Sequence, residues 1–356
     1  SLPMIIKKIF SFAASIISLF IFNFYLITNS NAEDYNSKLY SNDEGVVSIM
    51  YHRFNESKYP STNIQMDVFK QHLDFVKNSN FNFYNPKEFE ENFNNPKKEK
   101  KILLTIDDAF LSFYTEAWPH LKENKIPFIL FVSTEPVGKK GYMTWDQIKE
   151  IEKTNFGFIG HHSHTHGYLI DKSDEEFIQD IKKANQIFLE KLGYVPTLFS
   201  YPFGEYSKFM KDFISKNFNL AFGQHSGVID LNKEKFELSR FPINENYGKM
   251  DRFKSIINSF PLEYKKVNPE EKKINSFDNP PKFSVEFFND QKNLKNINCY
   301  SNEGGNWEKS NIKLTNNILT IKFREPFKPR RGRVNCSLND KGKWRWFGVQ
   351  FIIRPN

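Results

Sequence analysis

Short apolar runs punctuate the first two thirds of the chain. Residues 46–50, 102–106, 128–132, 156–159, 197–201 and 220–222 are dominated by Val, Ile, Leu and Phe and bounded by polar or turn-forming residues, the pattern of buried strands. Between them apolar positions recur at helical spacing. The clearest helix opens with the capping box Ser173-x-x-Glu176, sets Phe177, Ile181, Ala184, Phe188 and Leu192 on one face, and stops at Gly193. Strand and helix in alternation predict an α/β fold with a parallel sheet, open or closed. Further on, runs at 283–288, 312–323, 333–338 and 344–353 are separated by Gly, Asn and Pro turns and predict a small antiparallel, sandwich-like β domain. The intervening residues 263–281 are rich in Lys, Glu, Asn and Pro without sustained periodicity, as in a linker. The expected division is therefore an N-terminal segment 1–32, an α/β domain 33–262, a linker 263–281 and a β domain 282–356.

The N-terminal segment changes the setting. Lys7-Lys8 precedes an apolar run from 9 to 27, and Ser30-Asn31-Ala32 then offers small residues where a signal peptidase needs them. A signal peptide is expected, with an uncleaved anchor as the rival because the run can span a bilayer. On both readings the body is secreted, periplasmic or held in the cell envelope, and touches a membrane only through this segment. In an oxidising compartment the two cysteines, Cys299 and Cys336, are expected to form one disulfide.

Composition excludes more than it assigns. Hydrophobic residues at 39% and charged residues at 26% fit neither a disordered chain nor a multi-span membrane protein. The net charge of +8 is spread through mixed-sign stretches with no Arg-rich helix, so no nucleic-acid partner is expected. The 38 Phe residues read as a compositional bias. Trp344 and Trp346 lie two apart on a predicted strand, hence on one face, and should be both buried or both exposed.

The candidate chemistry is positional. Nearly every predicted strand delivers polar groups just past its C-terminal end: His52, the pair Asp107-Asp108, the cluster His161, His162, His164 and His166, and Gln224-His225. In a parallel α/β barrel those ends meet on one face, where active sites are built. His162 and His166 with Asp107 or Asp108 supply two imidazoles and a carboxylate, a divalent-metal set with room for water or substrate. Neighbouring acids at a strand end point in different directions, so one can ligate while the other takes a proton. His72 and His120 lack such neighbours and are read as structural.

Leu104-Thr105-Ile106-Asp107-Asp108, Gly160-His161-His162-Ser163-His164-Thr165-His166 and Tyr201-Pro202-Phe203-Gly204 resemble the first three signature motifs of the polysaccharide deacetylases, the NodB-homology fold of carbohydrate esterase family 4. Met50-Tyr51-His52 and Met143-Thr144-Trp145-Asp146 further resemble the permuted branch that includes poly-N-acetylglucosamine deacetylases. The resemblance implies a distorted (β/α) barrel and metal-dependent removal of acetyl groups from an N-acetylated polysaccharide. Asp108, His162 and His166 would hold the metal, zinc by default, with cobalt, nickel or manganese also suited. Asp107 would be the general base and the Phe203 N–H an oxyanion donor. His52 would be the general acid, with His225 as second candidate. The family's usual Arg before the third motif aligns with Ser200, so Arg240 is expected to orient the base; Ala109 stands where Gly is usual. The rival functions are an O-acetyl polysaccharide esterase and a catalytically silent glycan-binding protein.

Overall fold

The computed structural model describes residues 43–95, 100–231 and 235–355. The expected leader over 1–32 lies outside the described residues, among which no helix is long and apolar enough to cross a membrane. Residues Asp43–Asn356 form one compact unit.

Six parallel strands stand side by side in chain order: β1 (Gly45–Tyr51), β2 (Lys100–Asp107), β3 (Phe128–Val132), β4 (Gly157–His161), β5 (Leu198–Ser200) and β6 (Leu220–Phe222). On its free edge β1 carries β7 (Ile229–Asp230), antiparallel, and β8 (Phe241–Pro242), parallel. The residues just before β8 also bridge to β6 through Leu238 and Phe222. Segment 238–242 thus spans both edges of the curled sheet and closes it into a distorted barrel.

Both faces of these strands are buried, so they read as continuous apolar runs. Period two still sorts them. Ile102, Leu104 and Ile106 pack under the helices, while Leu103 joins Ile129, Phe131 and Leu198 on the inner side. Thr105 and Asp107 continue that inner column towards the mouth. Gly160 is required there, because a Cβ would lie 2.3 Å from the Phe131 ring.

The outer layer comprises α1 (Met66–Lys77), α2 (Pro86–Glu91), α3 (Trp118–Asn124), α4 (Trp145–Glu152), α5 (Asp174–Leu192), α6 (Lys208–Asn217) and α7 (Met250–Ile257). As expected, α5 starts at Ser173, whose hydroxyl accepts the Glu176 N–H, and ends at Gly193 with φ 83°. Its buried face is Phe177, Asp180, Ile181, Ala184 and Phe188; each fully buried large apolar side chain stabilises the packing by about 2 kcal/mol. The reciprocal capping box is found instead on α4, between Thr144 and Gln147.

The remainder forms two stacked sheets. One contains β9 (Phe260–Pro261), β11 (Lys273–Ile274), β13 (Asn298–Ser301), β14 (Glu308–Lys309), β17 (Arg330–Asp340) and β18 (Lys343–Ile353); the other contains β10 (Lys266–Asn268), β12 (Phe283–Glu286), β15 (Ile312–Thr315) and β16 (Ile318–Ile321). The pairing is antiparallel except where β9 and β11 add to β18. The single run foreseen at 312–323 is the β15–β16 hairpin, turning at Asn316 with φ 56°. Residues 263–281, foreseen as a linker, contribute β10 and β11, so their polar, Pro-rich composition belongs to sheet edges and turns.

The β17–β18 hairpin is the wall shared with the barrel. Odd positions of β18, such as Phe347, Val349 and Phe351, enter the core between the two sheets, which includes the Cys299–Cys336 disulfide. Even positions face the barrel: Trp346 packs on Phe241, and Ile352 joins Tyr201 and Tyr206. Gly348 permits this contact, since a Cβ there would lie 2.2 Å from the Ser226 carbonyl oxygen. The expectation that Trp344 and Trp346 share one fate fails. Trp344 is 52% exposed because it sits at the hairpin tip, beyond the edge of the barrel that shelters Trp346.

Candidate active site

Strand ends assemble the site. β1 runs out at Tyr51 and releases His52; β2 ends on Asp107, with Asp108 next; β4 ends on His161, with His162 next. Alternation splits both adjacent pairs. His161 turns under the helices, against Phe188, Phe199 and Phe218, where it hydrogen-bonds Asn185 and burial depresses it to about 3. His162 faces the mouth.

Asp108 adopts φ 81° and donates its N–H to the Phe131 carbonyl oxygen. Its Oδ1 is 3.0 Å from His166 Nε2 and 3.2 Å from His162 Nε2. One ligand atom from each of these residues falls within 4.8 Å of the others. Asp108 Oδ1 and His162 Nε2 are buried and lack a hydrogen-bond partner, an arrangement expensive to bury unless a cation completes it. His162 Nδ1 lies 2.7 Å from the Ser200 carbonyl oxygen. That contact requires the proton on Nδ1 and leaves the Nε2 lone pair for a ligand. Burial pushes the Asp108 carboxyl up, but the His166 and His162 imidazoles outweigh it and hold it well below the usual range. The three residues therefore fit a divalent metal.

Asp107 is fully buried inside the barrel, opposite Arg240, which is also fully buried. Arg240 Nη1 and Nη2 donate to its two carboxylate oxygens at 2.7 and 2.9 Å. The remaining guanidinium donors reach the Gly223 carbonyl, Thr105 and Ser200, the last at 2.7 Å. Ser200, small where the family pattern carries Arg, leaves the space that Arg240 fills from the closing segment. Burial opposes ionisation of Asp107, yet Arg240 keeps its pKa below the ordinary carboxylate value. His52 Nε2 lies 3.9 Å from Asp107 Oδ2 and 4.0 Å from Asp108 Oδ2. Burial draws His52 down against the pull of both carboxylates.

Phe203 follows the Pro202 turn with φ 60°. Its ring centroid is 4.8 Å from that of His166 and 4.4 Å from that of Tyr168. Asp108, Ala109, Ser163, His166 and Phe203 all have positive φ; strained non-glycine backbone of this kind clusters at functional sites.

All seven expected residues, Asp107, Asp108, His52, His162, His166, Phe203 and Arg240, thus come together at the barrel mouth. His225, the second candidate acid, does not join them. It lines a cavity of about 360 Å³ between the barrel and the β-sheets with Tyr206, Glu237, Lys272 and Phe347, where burial lowers it to about 4. His72 is structural as expected, sandwiched between the Tyr51 hydroxyl and the Gly248 carbonyl. Sequence reasoning missed Asp180, whose carboxylate accepts the His164 N–H and the Thr165 hydroxyl and so ties down the histidine loop. Its signal was an acid on the apolar face of α5.

Residues 94–219 match the polysaccharide deacetylase family. Over 206 residues the chain is 23% identical to the poly-β-1,6-N-acetyl-D-glucosamine N-deacetylase of Staphylococcus aureus, covering 49% of this chain and 70% of that one. It is 25% identical over 165 residues to YxkH of Bacillus subtilis, named for the same family, covering 45% of this chain. The chain spans 57% of the length of YxkH. Among solved structures, IcaB from Ammonifex degensii superimposes with a TM-score of 0.54 and 25% identity over 60% of this chain and 97% of its own. The Streptococcus pyogenes deacetylase PplD, in complex with acetate, gives 0.55 and 22% over 61% and 99%. Motifs, barrel and matches agree: residues 94–219 carry the pattern of the polysaccharide deacetylase family, on a fold similar to that of the solved deacetylases.

Proposed function

We propose that this protein is a metal-dependent hydrolase that removes acetyl groups from an N-acetylated polysaccharide of the poly-N-acetylglucosamine type, outside the cell or in its envelope. The observation that carries the reading is the side-by-side pairing of an Asp-His-His cluster with a second carboxylate fixed by a buried arginine. The S. aureus relative supports the substrate class, and the apolar segment near the N-terminus supports the location. Asp108, His162 and His166 would hold the metal, with zinc the first choice for two imidazoles and one carboxylate. A divalent cation supplies Lewis-acid polarisation of a carbonyl oxygen and makes water more acidic.

The chain's own groups do the rest. Asp107, ionised and aimed by Arg240, takes the proton from the attacking water. His52, across the mouth, protonates the departing sugar nitrogen. The Phe203 N–H stabilises the developing oxyanion. The intact cluster argues against a silent glycan-binding protein.

The test is acetate release by zinc-loaded protein from N-acetylglucosamine oligomers, peptidoglycan fragments and acetylated xylan. The expected result is release from the N-acetylglucosamine oligomers, abolished by chelation and restored by metal. Release from acetylated xylan alone would make it an O-acetyl esterase, and release from none would overturn the enzymatic reading.

A further inference from the structure

The solved relatives are matched over nearly their whole length by about three fifths of this chain, so the rest of the chain has no counterpart in them. The β17–β18 hairpin reaches the candidate active site. We propose that Gln350, on β18, is a positioning residue for the Phe203 oxyanion loop. The β-sheets would then be a working part of the active site as well as an attached module. This inference rests on the reading of the site as an acyl-transfer centre.

Gln350 is 2% exposed, a polar side chain within an otherwise apolar strand end. Its Nε2 donates to the carbonyl oxygens of Phe203 and Gly204, each at 3.2 Å. Its Oε1 accepts from Arg333 Nε at 3.2 Å, so the amide is locked with its donor edge towards the loop. Holding the Phe203 and Gly204 carbonyls fixes the two peptide planes that follow Phe203. With φ of Phe203 at 60°, a conformation a non-glycine residue leaves readily, those planes determine where the Phe203 N–H points.

Neighbouring β17 residues brace the same loop. Arg330 donates to Glu205 and Asp171, and its guanidinium lies 3.9 Å from the Tyr168 ring centroid. Tyr168 thus contacts both Arg330 and Phe203. Arg331 lies 3.2 Å from Glu205. None of these groups touches the cluster of Asp108, His162 and His166, so they act on the loop and not on the metal ligands.

The experiment replaces the donor at similar volume, Gln350→Met, with Gln350→Glu as the second variant because it keeps an acceptor for Arg333 while turning the donor into a carboxylate oxygen that the Phe203 and Gly204 carbonyls repel. Substrates are an N-acetylglucosamine oligomer and an aryl acetate, the latter reading the acyl machinery whether or not the sugar assignment holds. The expected result is a fall of about tenfold to a hundredfold in kcat, equal on both substrates, with KM, metal content and thermal midpoint unchanged. Hydrogen exchange of peptide 201–206 should accelerate in both variants, a readout that needs no turnover. Unaltered kcat and exchange would overturn the proposal, as would a loss of kcat that tracks lost metal or a lowered midpoint. Wild-type inactivity on the oligomer with retained aryl acetate hydrolysis would instead count against the substrate reading.

Discussion

Asp107 and Asp108 are adjacent and chemically identical, and the backbone gives them different partners, which separates the tasks proposed for them. Asp107 is the last inward-facing residue of β2; Asp108 sits one step past it, where φ 81° swings its carboxylate to the two imidazoles. Substitutions should therefore dissociate metal from turnover. Asp107→Asn should keep the metal while kcat falls about 10²–10⁴-fold, and His162→Ala should lose both, because a ligand is gone. Metal analysis beside acetate release decides it, and full occupancy in His162→Ala would contradict the ligand assignment. The acid role proposed for His52 makes a different demand. His52→Ala should lose about 10²–10⁴-fold on an N-acetyl amide, whose nitrogen must be protonated to leave, and far less on an aryl acetate. Equal losses in a well-folded variant would remove His52 from the role. These residues were legible because a strand end announces itself in sequence. Ser200, Asp180 and Gln350 were not, since what each does depends on partners 16 to 147 positions away that only the fold brings near.

At the scale of elements, legibility followed burial. The six central strands are covered on both faces, and each appeared in the sequence as an apolar run close to its observed bounds. The two-residue strands β9, β11 and β14 have too few residues to show any period, and β10, at a sheet edge, is mostly polar. The long hairpin β17–β18 is held from the other side by β13, whose Cys299 stands opposite Cys336 in β17 and is bonded to it. With 37 residues of separation, the loop-closure model assigns this bond about 4 kcal/mol of stabilisation. Denaturant unfolding of the oxidised protein against Cys299→Ala/Cys336→Ala should show that loss in the β-sheet transition. Coincident curves would mean that packing alone holds the sheets.

For the molecule as a whole, acid sensitivity follows from buried histidines such as His161, His225 and His72, and the last makes the most direct test. His72 on α1 bridges β1, through the Tyr51 hydroxyl, and the loop before α7, through the Gly248 carbonyl, and stacks on Phe253 at 3.9 Å. Burial, aided by the nearby Arg252 charge, holds it down at about 4, against 6.5 when free. The unfolded chain then binds the proton more readily, so this stabilisation is whole above pH 6.5 and drains away as pH falls towards 4, by about 3 kcal/mol. Thermal midpoints between pH 7 and 4 should fall more steeply for the wild type than for His72→Gln; parallel slopes would clear His72. The barrel itself was foreseen, but its closure was not, since segment 238–242 offers only a short apolar pattern and acts through two edges at once. That closure carries Arg240, and with it an order of assembly. The three clustered residues come from the ends of β2 and β4 and are braced by Ser200 on β5 and Asp180 on α5, whereas the charge partner of Asp107 arrives only with the last stave. A chain folding from its N-terminal side would therefore bring the proposed metal ligands together before the proposed base has its charge partner, and Asp107 would stay unpaired until the barrel has shut around it.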